Sequence, residues 1–484
     1  MASSIDHPMP ATTWGLALQL QDPPKGPVSL RIARGIVQEI ERGRLRPGDQ
    51  LPGTRKLATQ LGVHRKTIIA GFLELERQGW ITSSPAKGTF VSLELPETAP
   101  EPQRLPARSS LPPLEATAHE QLILSGGGPE LSILPRAALA RAWRRALLGR
   151  SSARLLDHGN PRGEPRLRQA LADLLIRNRG VRAIPDNLNV VRGTQHGIYL
   201  AVRALLQPGD CVAIEALHHP SLRGIFQLAG VKLLPVPLDD DGLDVDALDL
   251  LCTHNRVKAV YTTPHHQLPT SVTLSGQRRV RLLELARRRG LMVFEDDYDN
   301  EFQYEGTPVL PLAFSDRSGA VVYFGSMSAI LAPGLRLGFI ASSPEIAERI
   351  ARYRTFVDQQ GDQILESAVA ELIEDGELER HVRRARRLYR ARRDELVQAL
   401  DRHVPGLVFD VPRGGMAIWV QAPGVDADAW ARRAHAAGVS FQPASHFALE
   451  EPPCDFARLG FSACSEAQLN EAAQILGRTM LARG

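Results

Sequence analysis

Between residues 30 and 40 the apolar side chains Leu30, Ile32, Ile36, Val37 and Ile40 recur at roughly helical intervals, and Gly43 followed by Pro47-Gly48 interrupts them. That spacing places them on one face of a first helix. Thr54 reads as the N-cap of a second helix running to Leu61, and Gly62 makes a turn. Ile68, Phe72 and Leu75 then share one face of a third helix over about residues 65–78. Two short apolar runs, Trp80-Ile81 and Thr89-Phe90-Val91, enclose a polar turn that carries Lys87, the pattern of a hairpin. Helix, glycine turn, helix and hairpin together outline a helix-turn-helix with a wing.

Residues 95–118 break that order. They are rich in proline and show no sustained periodicity, which marks a semi-extended tether between a reader over residues 25–94 and a module over residues 119–484. In the module, short apolar runs at 188–191, 212–215, 232–236, 258–261, 291–295 and 321–324 read as strands separated by helices. Such alternation predicts a large, mainly parallel mixed sheet covered on both faces. A long helical region over residues 344–404 and a small α/β portion complete the expected α/β fold.

At 484 residues the chain is too long for one core, in keeping with two or three domains. Its formal charge of +4 is unevenly placed: 12 basic and 6 acidic residues lie within residues 25–95, a net +6 that leaves −2 for the rest. A positive field confined to the reader suits a nucleic-acid partner for that part alone. Cys211, Cys252, Cys454 and Cys464 are scattered without a Cys-x-x-Cys pair, so neither a zinc site nor a disulfide framework is expected. No apolar run approaches the roughly 18–20 residues of a membrane helix, and the first eight residues lack a basic stretch followed by an apolar one. A cytoplasmic location without membrane contact is the expectation.

Within the reader, Leu51-Pro-Gly-Thr-Arg-Lys-Leu-Ala, Gly62-Val-His-Arg-Lys-Thr and Gly88-Thr-Phe-Val follow one another. In that order they resemble the winged helix-turn-helix domains of the GntR family. The resemblance implies double-stranded DNA as a partner, met by Arg55, Arg65, Lys66, Thr67, Lys87 and Gly88. Their chemistry suits the task, because guanidinium groups grip phosphate or the guanine edge in two-pronged fashion, while a helix amino terminus and a glycine backbone approach phosphates closely.

The module carries a second ordered set: Gly193-Thr194-Gln195, Glu295-Asp296-Asp297-Tyr298-Asp299, and Gly325-Ser-Met-Ser-Ala-Ile-Leu-Ala-Pro-Gly-Leu-Arg. These resemble the pyridoxal phosphate (PLP) site of fold type I aminotransferases, a large mixed-sheet domain with a small α/β domain, and their spelling resembles the MocR branch of GntR regulators over nearly the whole chain. The resemblance implies that Thr194, Gln195, Ser326, Ser328 and Arg336 surround a phosphate. It likewise implies that Asp296 pairs with the protonated pyridine nitrogen, that Tyr298 reaches the ring oxygen, and that His266 and Gln267 face the ring. Arg458 matches the arginine that holds a substrate or effector carboxylate. The adjacent His265 and His266 do not suggest a metal, because consecutive side chains in a strand diverge to opposite faces.

Ala329 stands where the branch has its Schiff-base lysine. A methyl side chain neither bonds a cofactor aldehyde nor relays a substrate proton, and no lysine follows Lys258. His219 occupies the place of an aromatic ring expected to stack on the pyridine, and His158 that of a tyrosine. Three changes in one site point to a naturally repurposed pocket more than to one engineered substitution. The expected function is a DNA-binding transcriptional regulator, a homodimer by resemblance, whose module senses without catalysis. Its ligand would be PLP or pyridoxamine phosphate held noncovalently, a preformed adduct of cofactor and amino acid, or another anionic metabolite; alternatively the pocket is vestigial and regulation comes from dimerisation or a protein partner. Rival readings are a PLP-dependent aminotransferase-like enzyme with a fused DNA-binding head, and a dead scaffold that only bridges DNA.

Overall fold

The computed structural model describes residues 26–84, 87–96, 122–306, 309–450 and 454–481. It separates into two compact units, Met1–Glu115 and Ala116–Gly484. Beyond residue 96 the tether expected over 95–118 lies outside the described residues, as do residues 85–86 of the hairpin turn.

In the first unit, α1 (Val28–Glu41) and α3 (Arg65–Arg77) approach so closely that a Cβ on Gly71 would stand 2.9 Å from the Ser29 carbonyl oxygen. Between them, α2 (Thr54–Leu61) ends at Gly62, whose φ of 64° supplies the left-handed residue of the turn. Ile32, Ile36, Leu57, Ile68, Phe72 and Leu75 fill the shared core, and each such burial is worth about 1.5–3 kcal/mol. One expectation needs correction: Gly53, with extended backbone, is the cap of α2, and Thr54 is already helical. The Thr54 hydroxyl instead accepts a hydrogen bond from Arg65 Nε at 3.2 Å, a partner supplied by the next helix. Helix α3 is capped by His64, whose Nδ1 accepts from the Lys66 N–H at 3.2 Å. The hairpin strands β1 (Ile81–Ser84) and β2 (Gly88–Val91) pair antiparallel, Ile81 opposite Val91.

The second unit is built on a seven-stranded sheet. Its strands lie in the order Leu188–Val191, Gly338–Ala341, Val321–Ser326, Met292–Asp297, Val257–Thr262, Cys211–Glu215, Lys232–Val236. Neighbours run parallel except at Gly338–Ala341, which is antiparallel to both of its partners. Val321–Ser326 is buried at every position, which explains the unbroken run Val-Val-Tyr-Phe that opens it before Gly325 and Ser326. Gly338–Ala341 was not among the expected strands. It is short and begins with a glycine whose Cβ would stand 2.9 Å from the Gly325 carbonyl oxygen, so close backbone approach rather than side-chain pattern selects it.

The helical region over 344–404 is three helices, Pro344–Arg354, Gln363–Glu374 and Glu377–His403. Asp362 caps the second through the Leu365 N–H, and Gly376 (φ 68°) separates it from the third. A smaller sheet, ordered Ala417–Gln421, Phe456–Gly460, Gln442–Pro443, is covered by Ala427–Ala436 and Glu466–Leu481 and has a core of its own around Trp430, Leu459 and Leu469. Among the described residues, no helix is long and apolar enough to cross a membrane, and no cluster of His, Cys, Asp and Glu could hold a metal ion.

Candidate functional site

The carboxyl ends of the parallel strands meet the smaller lobe around a cavity of about 290 Å³, the place where open α/β sheets receive ligands. Met292–Asp297 delivers Asp296 there. Its Oδ2 accepts a hydrogen bond from the Tyr261 hydroxyl at 2.7 Å, while Oδ1 is buried without a partner. Burial, helped by the charges of Asp297 and Asp299 and opposed by the Tyr261 bond, pushes this carboxyl up to about 7. A cationic N–H donor against Oδ1 would return it to the ionised form. Tyr298 lines the same cavity, and burial holds its phenol well above the usual range.

Polar groups gather where Val321–Ser326 ends. Ser326 Oγ accepts from the N–H groups of Ser328 at 3.2 Å and Ala329 at 3.4 Å, and Ser328 Oγ is buried without a partner. Arg336, in the left-handed region at φ 50°, lies against Gly193: a Cβ there would meet its guanidinium at 3.1 Å. One guanidinium nitrogen donates to the Arg192 carbonyl at 3.0 Å. Gly193 (φ 83°) also caps the helix Thr194–Leu205, and first-turn N–H groups of a helix have no intrahelical acceptor. Hydroxyls, amides and a guanidinium in one place are what a phosphate dianion needs. Gln195 Nε2 donates to Ser221 Oγ at 3.0 Å, and that oxygen is 2.8 Å from His219 Nδ1. His219 is itself exposed at the cavity mouth, and the surrounding protein atoms, with the positive Arg458 and His446 nearby, lower its imidazole below the ordinary value.

Arg458 enters from the smaller lobe, across from Trp419 and Gln442, and is only 4% exposed. Its Nε is buried without a partner. Gly127, at φ 56°, makes room for it, since a Cβ there would stand 3.0 Å from Nη2.

His266 does not line this cavity, contrary to expectation. Its Nδ1 is 2.8 Å from Asp299 Oδ1 and its Nε2 is 3.1 Å from Gln303 Oε1, so a buried carboxylate turns the ring away. Gln267 is likewise consumed internally: Nε2 donates to Glu215, Leu217 and Leu268, and Oε1 accepts from Thr270. Thr194, Gln195, His219, Asp296, Tyr298, Ser326, Ser328, Arg336 and Arg458 all line the cavity together with Ala329; Lys232 and Lys258 do not. His158 is exposed and outside it. Sequence reasoning missed Tyr261 and the Gly126-Gly127-Gly128-Pro129 wall, although three consecutive glycines were a visible sign of close backbone approach.

On the first unit, Arg55, Arg65 and Lys66 are exposed in the opening turns of α2 and α3, and Thr67 is half-buried beside them. Lys87 and Gly88 are exposed on the hairpin, which Gln50 anchors through a 3.0 Å bond from Nε2 to the Lys87 carbonyl.

Two family models match the chain: bacterial regulatory proteins of the gntR family over residues 28–91, and aminotransferase class I and II over residues 128–476. Over 469 residues, 94% of both chains, it is 29% identical to the probable rhizopine catabolism regulatory protein MocR of Rhizobium meliloti. The chain is a MocR-type regulator of the GntR family. This MocR-type regulator is also 31% identical over 405 residues to the pyridoxine biosynthesis transcriptional regulator PdxR of Corynebacterium glutamicum, covering 83% of this chain and 84% of that one. Among solved structures, the multiple substrate aminotransferase of Thermococcus profundus superposes at a TM-score of 0.70 with 29% identity, over 75% of this chain and 92% of its own. The GntR-type unit makes DNA the partner of this regulator, and its second unit has the fold type I aminotransferase architecture.

Proposed function

We propose that this regulator reads DNA through residues 25–94 and, in residues 119–484, senses PLP or a PLP–amino acid adduct held without a covalent bond to the protein. One observation carries the reading: Asp296 Oδ1, Ser328 Oγ and Arg458 Nε are buried and unpartnered in residues that line one cavity, and position 329 of that cavity is alanine. These residues fit PLP. When bound, it brings a protonatable ring nitrogen, a phosphate and an aldehyde. Asp296 would hold the ring nitrogen, Tyr298 the ring oxygen, and Thr194, Gln195, Ser326, Ser328 and Arg336 the phosphate. His219 would lie beside the ring and Arg458 would take a carboxylate. Ala329 supplies neither an anchoring amine nor a proton relay, and neither Lys232 nor Lys258 lines the cavity, so the chain does not transaminate.

A homodimer belongs to the same proposal. The segments around residues 156–160 and 356–363 meet where Gln363 Nε2 donates to the Asp157 carbonyl at 2.7 Å, and they present Leu156 and Phe356 at 66% and 88% exposure. Large apolar groups this exposed are what self-association covers. The ligand then acts by binding one arrangement of the dimer better than another. Calorimetric titration of the purified full-length protein with PLP tests the ligand. Saturable binding at about one per chain, weakened by Asp296→Asn, is expected; no heat from either PLP or a reduced pyridoxyl–amino acid adduct would overturn the reading.

A further inference from the structure

The solvent face of α3 is not uniformly polar. Ile68, Phe72 and Leu75 turn inward, but Ile69 and Leu73 are 36% and 55% exposed. At 100° per residue, Ile69 and Leu73 fall near the middle of the exposed face, between the directions of Arg65 and Lys66 in the first turn. At its amino-terminal end this apolar spot is framed by cations, Arg65 and Lys66 standing four and three residues before Ile69, whereas Leu73 is followed by the exposed Glu76 and Arg77. The amino-terminal end matches the floor of the DNA major groove, where a phosphate rim favours the cations and the thymine 5-methyl group is the one apolar feature on a base edge.

Position along the helix separates the two residues. In helix-turn-helix proteins the amino-terminal part of the second helix meets the base edges. Ile69 is four residues beyond Arg65, about 6 Å along the axis, less than two steps of the roughly 3.4 Å that separates base pairs. Leu73 lies twice as far, toward the end that leaves the groove. A β-branched side chain holds few rotamers, so Ile69 presents its methyl groups in a defined direction.

We propose that Ile69 is a specificity-determining residue that reads a thymine through its 5-methyl group, while Arg65 and Lys66 position the helix. The inference rests on the DNA-reading function of this unit and deepens it. The test uses the full-length protein. An operator is first enriched from a random duplex pool, and each thymine of the enriched sequence is then replaced in turn by deoxyuridine, which keeps base pairing and removes only the methyl.

The expected result is one position per half-site at which deoxyuridine weakens wild-type binding about 3- to 10-fold, in the range that loss of one buried methyl and its close packing produces. Ile69→Ala should bind the thymine and deoxyuridine operators alike, whereas Ile69→Val, which keeps branched methyl groups, should still distinguish them. Arg65→Ala should weaken both operators and leave their ratio intact. Wild-type protein indifferent to deoxyuridine at every position, or an Ile69→Ala variant that still discriminates, would overturn the assignment while leaving DNA binding in place. Enrichment of no sequence at all would instead overturn the DNA reading, and this inference with it.

Discussion

Arg65 of the DNA-binding unit and Arg458 of the aminotransferase-like unit are both candidates for gripping an anion, but they wait for it in opposite states. Arg65 stands in water at a helix start, where its Nε donates to the Thr54 hydroxyl at 3.2 Å. Arg458 is 4% exposed, with a buried Nε that no protein atom satisfies. An exposed ion pair is worth about 0–1 kcal/mol, and salt weakens it. A charge already stripped of water gains far more from a partner, because the desolvation cost was met on folding. Strong DNA binding therefore needs many cations acting together, as Arg55, Arg65, Lys66 and Lys87 can, whereas a few unpaired groups suffice for a small ligand. Both arginines of the cavity nonetheless depend on a glycine: the buried Arg458 guanidinium lies where a Cβ on Gly127 would stand, and the exposed Arg336 guanidinium lies against Gly193 in the same way.

Four measurements would break or sharpen this contrast. The largest effect is expected in the aminotransferase-like unit: Asp296→Ala would remove the proposed charge-assisted bond to the ring nitrogen, worth about 1.5–3 kcal/mol, and should weaken PLP binding roughly 10- to 100-fold by calorimetry. Ligand-free DNA binding should be untouched; equal PLP affinity in the variant would show that Asp296 does not meet the ring. Next, Arg65→Ala should weaken operator binding about tenfold and lower the slope of log affinity against log salt by about 0.9, the share of one phosphate contact. A tenfold loss with no change of slope would assign Arg65 to a base edge instead.

A smaller effect is expected from Gly127→Ala. Its φ of 56° and the 3.0 Å approach of Arg458 Nη2 should together cost about 1–2 kcal/mol of stability. Denaturant unfolding would measure this, and a variant as stable as wild type would mean that the wall yields easily.

The smallest effect concerns pH. Burial raises Glu295 to about 8, and Asp296 and Glu366 to about 7, so the folded state holds protons that the unfolded chain releases near its ordinary carboxyl values. Their stabilisation is complete at low pH and is lost as pH rises through 7 to 8. Buried His218, lowered to about 4, acts in the opposite sense, but only below about 6.5. Between pH 6.5 and 8.5 the melting temperature of ligand-free protein should therefore fall, and Asp296→Asn should flatten part of that slope. A melting temperature that climbs over the same range would contradict the burial assigned to these carboxyls.

Legibility in the sequence followed the range of the interactions. The three helices and hairpin of the first unit come from contacts within about 65 residues, and their apolar spacing, glycine turn and motif order were all visible. Thr54 escaped because whether it caps α2 or sits inside it depends on Gly53 and on the Arg65 guanidinium of another helix. In the second unit, Thr194, Asp296, Ser326, Ser328 and Arg336 line the cavity, and each sits beside a strand end in a motif whose local spelling is distinctive. His266 sits in an equally distinctive motif, yet its ring turns toward Asp299, 33 residues away.

By itself, then, the sequence determined that a basic winged reader is joined to an α/β module, which residues carry donors and cations, and that position 329 offers no amine. Those properties belong to residue identity and short-range periodicity, and no folding event can alter them. Tertiary structure alone decided which groups are left unpaired. Asp296 shares one oxygen with Tyr261 and not the other, Gln267 exhausts its amide on Glu215 and nearby backbone, and Arg458 is buried without a carboxylate. Pairing is settled by neighbours far apart in the chain competing for the same donors and acceptors, and burial then sets how much each unmet bond is worth.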